Sequence, residues 1–238
     1  MVKVFRNLAT SRVMDLLGIV IIFICAFLSG YLFESLNDVT HWGHWAIFVP
    51  FGLISAFDAC MSIMSTRLVG RFSNWGNWIG VPEIILGCII DYLLGNHGAI
   101  LTYPISFIIQ IWAIKTWTNS DKFKKSNLMN TAKGKILFVI LSLLSLLFSF
   151  GINYIGYGQL NSSDSVLYVL TSFVFGISLI ANIMNAMKIS TQWKFWLLYD
   201  FIQLAKAFSQ FNFANVGKYI YYIIMALAGN AYWGKDAE

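Results

Sequence analysis

The sequence is short of the residues that keep a chain in water and of those that staple one together outside the cell. Charged residues make up 11% of its 238 positions and apolar ones 58%, against about 25% and roughly 45 to 50% in soluble domains. A soluble globular domain is thereby excluded. Cysteines number three, Cys25, Cys60 and Cys88, an odd set scattered through apolar runs. They read as small core residues and not as a disulfide framework. His41 and His44 share the stretch "HWGHW", but no Cys or third His lies nearby, so no metal is expected there and Trp42 and Trp45 read as interfacial anchors. No cofactor is expected either. The chain lacks a phosphate loop, a His-Glu-x-x-His pair, a paired-Asp transferase motif and a Ser-His constellation, so it is not expected to be an enzyme or a self-contained ATP-driven pump.

What is present is hydrocarbon. Eight runs approach or exceed the roughly 20 apolar residues that span a bilayer core: about 15 to 33, 44 to 66, 75 to 95, 99 to 117, 135 to 157, 165 to 187, 193 to 211 and 214 to 233. A net charge of +5 suggests nucleic acid only until the charges are placed. Lys3, Arg6, Arg12, Arg67, Arg71, Lys115, Lys122, Lys124, Lys125, Lys133, Lys135, Lys188, Lys194 and Lys235 fall at one set of alternate segment ends. Glu34, Asp38 and Asp164 occupy the opposite loops, with Lys218 the one basic residue near them. The positive-inside rule then puts both termini in the cytoplasm. An odd number of spans breaks that alternation, and the basic start runs into a full span with no convincing cleavage site. The expectation is an all-α integral membrane protein of eight spans, in contact with lipid and not with nucleic acid.

"WGNWIGVPEI" from Trp75 and "WKFWLLYDFI" from Trp193 repeat a Trp-x-x-Trp frame 118 positions apart. Each opens a hairpin that closes on a tryptophan, Trp117 or Trp233, and each is preceded by a descending segment that ends near a basic residue. The expected organisation is residues 1–43 (N-terminus, extra helix, outer loop), 44–117 (first three-helix repeat), 118–164 (basic loop, linking helix, outer loop), 165–233 (second repeat) and 234–238 (tail). One linking helix between two triplets makes the repeats parallel, with a cavity on their common axis and two halves able to rock about it. Pro50, Pro82 and Pro104 all fall in the first triplet, so that half is either the more deformable one or simply tolerant of proline.

An acid in hydrocarbon costs about 2.5 to 3.5 kcal/mol on insertion scales and needs a partner, water or a purpose. Asp58, Glu83 and Asp200 lie at a common depth of about 12 Å and are expected to ring one cavity; Lys206 is expected to pair with one of them or to snorkel, and Asp91 to be interfacial. Helical spacing aligns Trp193, Trp196, Asp200 and Gln203 in one stripe; Thr171, Ser178, Asn182 and Asn185 in a second; Tyr103, Ser106, Gln110 and Trp117 in a third; Ser55, Asp58, Ser62 and Ser65 in a fourth. In lipid such stripes face a cavity or another helix. The serines suit interhelical hydrogen bonds, whereas the amides and Asp200 beside tryptophans exceed what packing needs. Glu83, about a quarter turn off the Trp75/Trp78 face, is either a site residue or a structural pair. Aromatic faces attract flat rings and cations, carboxylates neutralise positive charge, and amides read hydroxyls. A small, polar, aromatic and cationic solute fits this set.

Trp193-x-x-Trp196 with Asp200, "YPISFIIQIWAIKTW" from Tyr103 and "MALAGNAYW" from Met225 resemble the PnuC family of bacterial nicotinamide riboside transporters. The likeness covers about residues 44–233. It implies a fold similar to SWEET sugar transporters, in a three-plus-one-plus-three arrangement, in the bacterial inner membrane. It further implies facilitated diffusion of a vitamin, trapped by a cytoplasmic kinase that phosphorylates the product, and a homo-oligomer, possibly a trimer. Gln110, Trp193, Trp196 and Asp200 carry over as residues that line the site. Family members tend to have asparagine where this chain has Gln110 and Asp200, and a carboxylate at 200 suits thiamine as well as nicotinamide riboside. A proton-coupled carrier that uses the same acids is the mechanistic alternative.

Overall fold

The computed structural model describes residues 2–119, 128–158 and 165–235. Lys122, Lys124, Lys125 and Asp164, which contribute to the charge alternation, lie outside the described residues. These contain no strand. The helices are α1 (Val2–Thr10), α2 (Arg12–Leu28), α3 (Leu36–Thr40), α4 (Phe51–Gly70), α5 (Trp75–Leu93), α6 (Ala99–Thr118), α7 (Ala132–Tyr157), α8 (Ser165–Ala186), α9 (Gln192–Ser209) and α10 (Phe213–Lys235). By length and composition α4, α6, α7 and α8 are able to cross a membrane. The polar faces of α5, α9 and α10 dilute their hydropathy, and α2 is 17 residues long.

Local chemistry sets the boundaries. The second apolar run enters as a short 3-10 turn at His44–Phe48 and becomes α-helical only after Pro50, since proline holds the preceding residue extended. Pro50 therefore sits ahead of α4 and does not kink it, whereas Pro82 and Pro104 lie inside α5 and α6. Ser11 caps α2 by accepting from the Val13 N–H, and Thr131 caps α7 through Gly134. The N-terminal helix α1 was not apparent from the hydropathy. It packs on α10 and α4, and the buried Arg67 guanidinium fixes the elbow between α1 and α2 by donating to Leu8 O at 3.0 Å, Ser11 O at 2.7 Å and Asp15 at 2.6 Å. Arg67 is thus an internal clamp and not an interfacial charge.

Helices α4, α5 and α6 pack in sequence, as do α8, α9 and α10; across the middle α4 meets α10 and α6 meets α8. The extra helix α2 lies against α4 and α10, and the linking helix α7 against α8 and α6, so each covers one of the two seams. Turn geometry recurs at a spacing of 116 residues. Phe72 and Lys188 both take left-handed backbone (φ 58° and 53°), as do Gly95 and Phe211 (φ 89° and 54°). Each is followed by an N–H that reaches back five residues: Ser73 to Leu68, Ile189 to Met184, Asn96 to Asp91 and Asn212 to Ala207. That bond satisfies a carbonyl the helix end leaves free. Three of these four positions hold side chains disfavoured there, so the turn is imposed by its surroundings.

The C-terminal ends of α4, α6, α8 and α10 gather at one end of the bundle. Trp117 donates its indole N–H to Asn185 O at 2.9 Å, and Trp233, fully buried, donates to Gly70 O at 3.0 Å. Trp233 stacks on Phe72 at 4.2 Å and touches Trp193 edge-on. Gly229 is required here, because a Cβ would come within 2.6 Å of the Trp193 ring.

Candidate functional site

Between the two triplets lies a cavity of about 200 Å³, bounded by α4, α5 and α6 on one side and α8, α9 and α10 on the other. Its lining obeys the 116-residue spacing. Asn77, Gly80, Glu83, Ile84, Gly87 and Ile90 of α5 stand where Trp193, Trp196, Tyr199, Asp200, Gln203 and Lys206 of α9 stand. Asp58 and Ser62 pair in the same way with Val174 and Ser178, and Tyr103, Ser106 and Gln110 with Tyr219, Tyr222 and Ala226. Residues three, four and seven apart share a helix face, so these stripes turn inward together.

The Trp-x-x-Trp frame of the sequence is two residues out of this register. Trp75 and Trp78 are 70% and 53% exposed on the outer surface, while Trp193 is 3% exposed and Trp196 lines the cavity in an edge-to-face contact with Tyr199 at 5.2 Å. The similar spacing arose because both segments begin a helix at an end of the bundle, where tryptophan is favoured for different reasons.

All ten candidate residues border the cavity: Asp58, Glu83, Tyr103, Gln110, Asn182, Asn185, Trp193, Trp196, Asp200 and Gln203. They are in different states. Gln110 donates to Asn77 O at 2.7 Å and Asn185 to the Asn77 side chain at 3.0 Å, so both bridge helices beside the tryptophan cluster. Gly80 makes this possible, since a Cβ would approach Gln110 Nε2 to 2.6 Å. Gln203 donates to the Tyr199 hydroxyl at 2.7 Å. Trp193 is packed in the cluster, its indole N–H without an acceptor among the described residues. Asp58 is 3% exposed and Asp200 equally buried, yet neither carboxylate receives a hydrogen bond from a described residue, and Asp58 Oδ1 is fully enclosed.

Asp91 and Lys206 differ from expectation. Asp91 is buried, not interfacial; Lys206 pairs with it, at 2.7 Å from Oδ1, and not with Asp58, Glu83 or Asp200. Gln210, Asn96 and Tyr103 add hydrogen bonds to the same carboxylate. This network ties the far end of α5 to α9, as the tryptophans tie the near end. Lys218, expected at the outer surface, is 4% exposed and lines the cavity with Asn215, Tyr219 and Tyr222. Its helical spacing from Tyr222 and Ala226 was the available signal, masked by its nearness to a loop. Tyr199 and Asn77 were missed as well.

The arrangement can hold a small solute against aromatic rings and offer it carboxylates, Asp58 and Asp200, that no donor among the described residues has claimed. A bond-making constellation is not needed for that. The pattern of a protein family described as nicotinamide mononucleotide transporter matches residues 52–235. No curated protein matches the chain. Among solved structures, the crystal structure of the vitamin B3 transporter PnuC is similar, with a TM-score of 0.67 and 14% identity over 94% of this chain and 92% of that one. An inward-facing set of polar stripes on apolar helices, joined to a family match over most of its length, makes this a multi-pass membrane transporter for a small molecule: the chain belongs to the nicotinamide mononucleotide transporter, or PnuC, family.

Proposed function

We propose that the protein carries nicotinamide riboside into the cell by facilitated diffusion, with phosphorylation by a cytoplasmic kinase keeping the gradient inward. The observation that carries this reading is the pair of buried carboxylates, Asp58 and Asp200, that receive no hydrogen bond from the described residues in an aromatic cavity. Ionisable groups inside a membrane protein mark a solute path unless they are paired, and a pyridinium supplies both the charge and the flat ring that such a lining accepts. Trp196 and the tyrosines flank the ring, Asp200 with Glu83 and Asp58 balances its charge, and Gln203 and Asn182 meet the ribose hydroxyls and carboxamide. Gln110 and Asn185 join them by exchanging their bonds to Asn77 as the halves move.

In this reading the eight long helices all span the inner membrane with both termini in the cytoplasm. Residues 44–117 and 165–233 are parallel repeats joined through 118–164, after the extra helix of 1–43 and before the tail of 234–238, in a SWEET-like plan that assembles as a homo-oligomer, possibly a trimer. The test is uptake into liposomes that contain only the purified protein. Radiolabelled nicotinamide riboside should equilibrate without accumulating, and collapse of a proton gradient should leave the rate unchanged. Accumulation that follows the proton gradient would make this a coupled carrier, and preferential uptake of thiamine would overturn the substrate.

A further inference from the structure

Among the described residues two lysines face the cavity, and they are held in opposite ways. Lys206 is clamped by both oxygens of Asp91. Lys218, on α10, makes no ion pair or hydrogen bond with any described residue, although it is 4% exposed. Its ammonium lies 4.8 Å from the centre of the neighbouring Tyr219 ring, the contact by which an aromatic face holds a cation. Asp58 of α4, Glu83 of α5 and Asp200 of α9 line the same cavity, within electrostatic reach of it. The position 116 residues earlier is Thr102, so the charge is on one side of the cavity only.

We propose that Lys218 is a specificity-determining residue of the cavity: a tethered cation that shares the Asp58, Glu83 and Asp200 carboxylates between transport events and yields them to a cationic solute. The inference rests on the reading above, that the solute is an organic cation. A lysine in a fixed ion pair is spent, but one on a flexible four-carbon stem, held only against an aromatic ring, is free to shift. Its presence weakens the hold of the carboxylates on a positively charged solute, which favours release, while a neutral solute is little affected. An anion gains less here, because three carboxylates line the cavity with the ammonium.

Titration calorimetry on the purified full-length protein tests this with four probes: nicotinamide riboside and thiamine as cations, uridine as a neutral nucleoside, and nicotinamide mononucleotide as a phosphate carrier. Lys218→Met should tighten binding of the cation about tenfold and shift uridine by no more than about twofold, and in liposomes it should slow maximal uptake because release is retarded. Lys218→Arg keeps the charge and should not show the tightening seen with Lys218→Met. Should Lys218→Met not yield folded protein, Lys218→Gln reads the same contrast. Unchanged or weaker cation binding in the neutral variant overturns the proposal. Loss of mononucleotide binding with riboside binding unchanged also overturns it, by making Lys218 a phosphate anchor. The unaltered protein alone decides the substrate: if it takes thiamine in place of riboside, the substrate reading fails and Lys218 is still tested on thiamine. If it binds neither cation, both fall.

Discussion

Helices α5 and α9 present the same positions to the cavity with opposite chemistry. One offers Asn77, two glycines, Glu83 and two isoleucines; the other offers Trp193, Trp196, Tyr199, Asp200, Gln203 and Lys206. The partners are complementary. Opposite Gly80 the chain places Gln110, and at the positions 116 residues on it has Trp196 and Ala226, so bulk sits on the long hairpin arm in one half and on the other arm in the second. Matching backbones therefore divide the work, α5 supplying room and α9 supplying rings, while each contributes a carboxylate, Glu83 or Asp200. The contrast extends to the ends: tryptophan indoles bridge the halves where α4, α6, α8 and α10 finish, and a lysine–aspartate pair bridges them where α5 and α9 finish.

Removing the charged bridge should break the comparison most severely. Lys206→Met or Asp91→Asn leaves a buried group without its counter-ion and should lower stability by about 3 to 5 kcal/mol, seen as a fall in Tm in detergent; the double substitution should recover most of the loss. Next in size, Asp200→Asn should weaken riboside binding about 30-fold, roughly 2 kcal/mol, by calorimetry. Moving the carboxylate across, with Ile84→Asp added, should not restore affinity, because the α5 face lacks the rings that orient the solute. Restoration would mean that the two faces are interchangeable.

Smaller effects sharpen the symmetry. Trp117→Phe and Trp233→Phe each delete one interhelical hydrogen bond, worth about 0.6 to 2 kcal/mol, and the loss should be greater at Trp233, which also stacks on Phe72. Smallest of all, Trp75→Phe and Trp78→Phe should change stability by less than about 0.5 kcal/mol and leave affinity unaltered, while Trp196→Phe weakens binding. A loss of affinity with Trp75→Phe would reinstate the tryptophan frame as the functional repeat.

Helices and their inward faces were legible in the sequence because hydrocarbon is an unforgiving solvent. Polar side chains on apolar helices have nowhere to go but inward, and that is why every candidate from Asp58 to Gln203 borders the cavity. Pairing was not legible. Nothing in the spacing says that Lys206 meets Asp91 across 115 residues, or that Asn77 engages Gln110 and Asn185. The true register was obscured because Trp75 and Trp193 have similar sequence surroundings and different neighbours in space. Pro50 and Lys218 were misread for one reason: both lie near the point where a loop becomes a helix, and hydropathy places that point poorly.

The Arg67 clamp has a consequence for how the protein is made. Leu8 O, Ser11 O and Asp15 are made 52 to 59 residues before their donor Arg67, which arrives with α4, and the Tyr221 hydroxyl that donates to Met14 O comes 207 residues after it. Met225 contributes to the same knot through its sulfur, 3.1 Å from Arg67. The Leu8–Asp15 stretch thus gains its Arg67 donor with α4 and its Tyr221 donor only with α10. Synthesis halted before Phe213 would leave Met14 O without the Tyr221 hydroxyl and Arg67 without the Met225 sulfur, a ready mark by which quality control could recognise a chain that lacks α10.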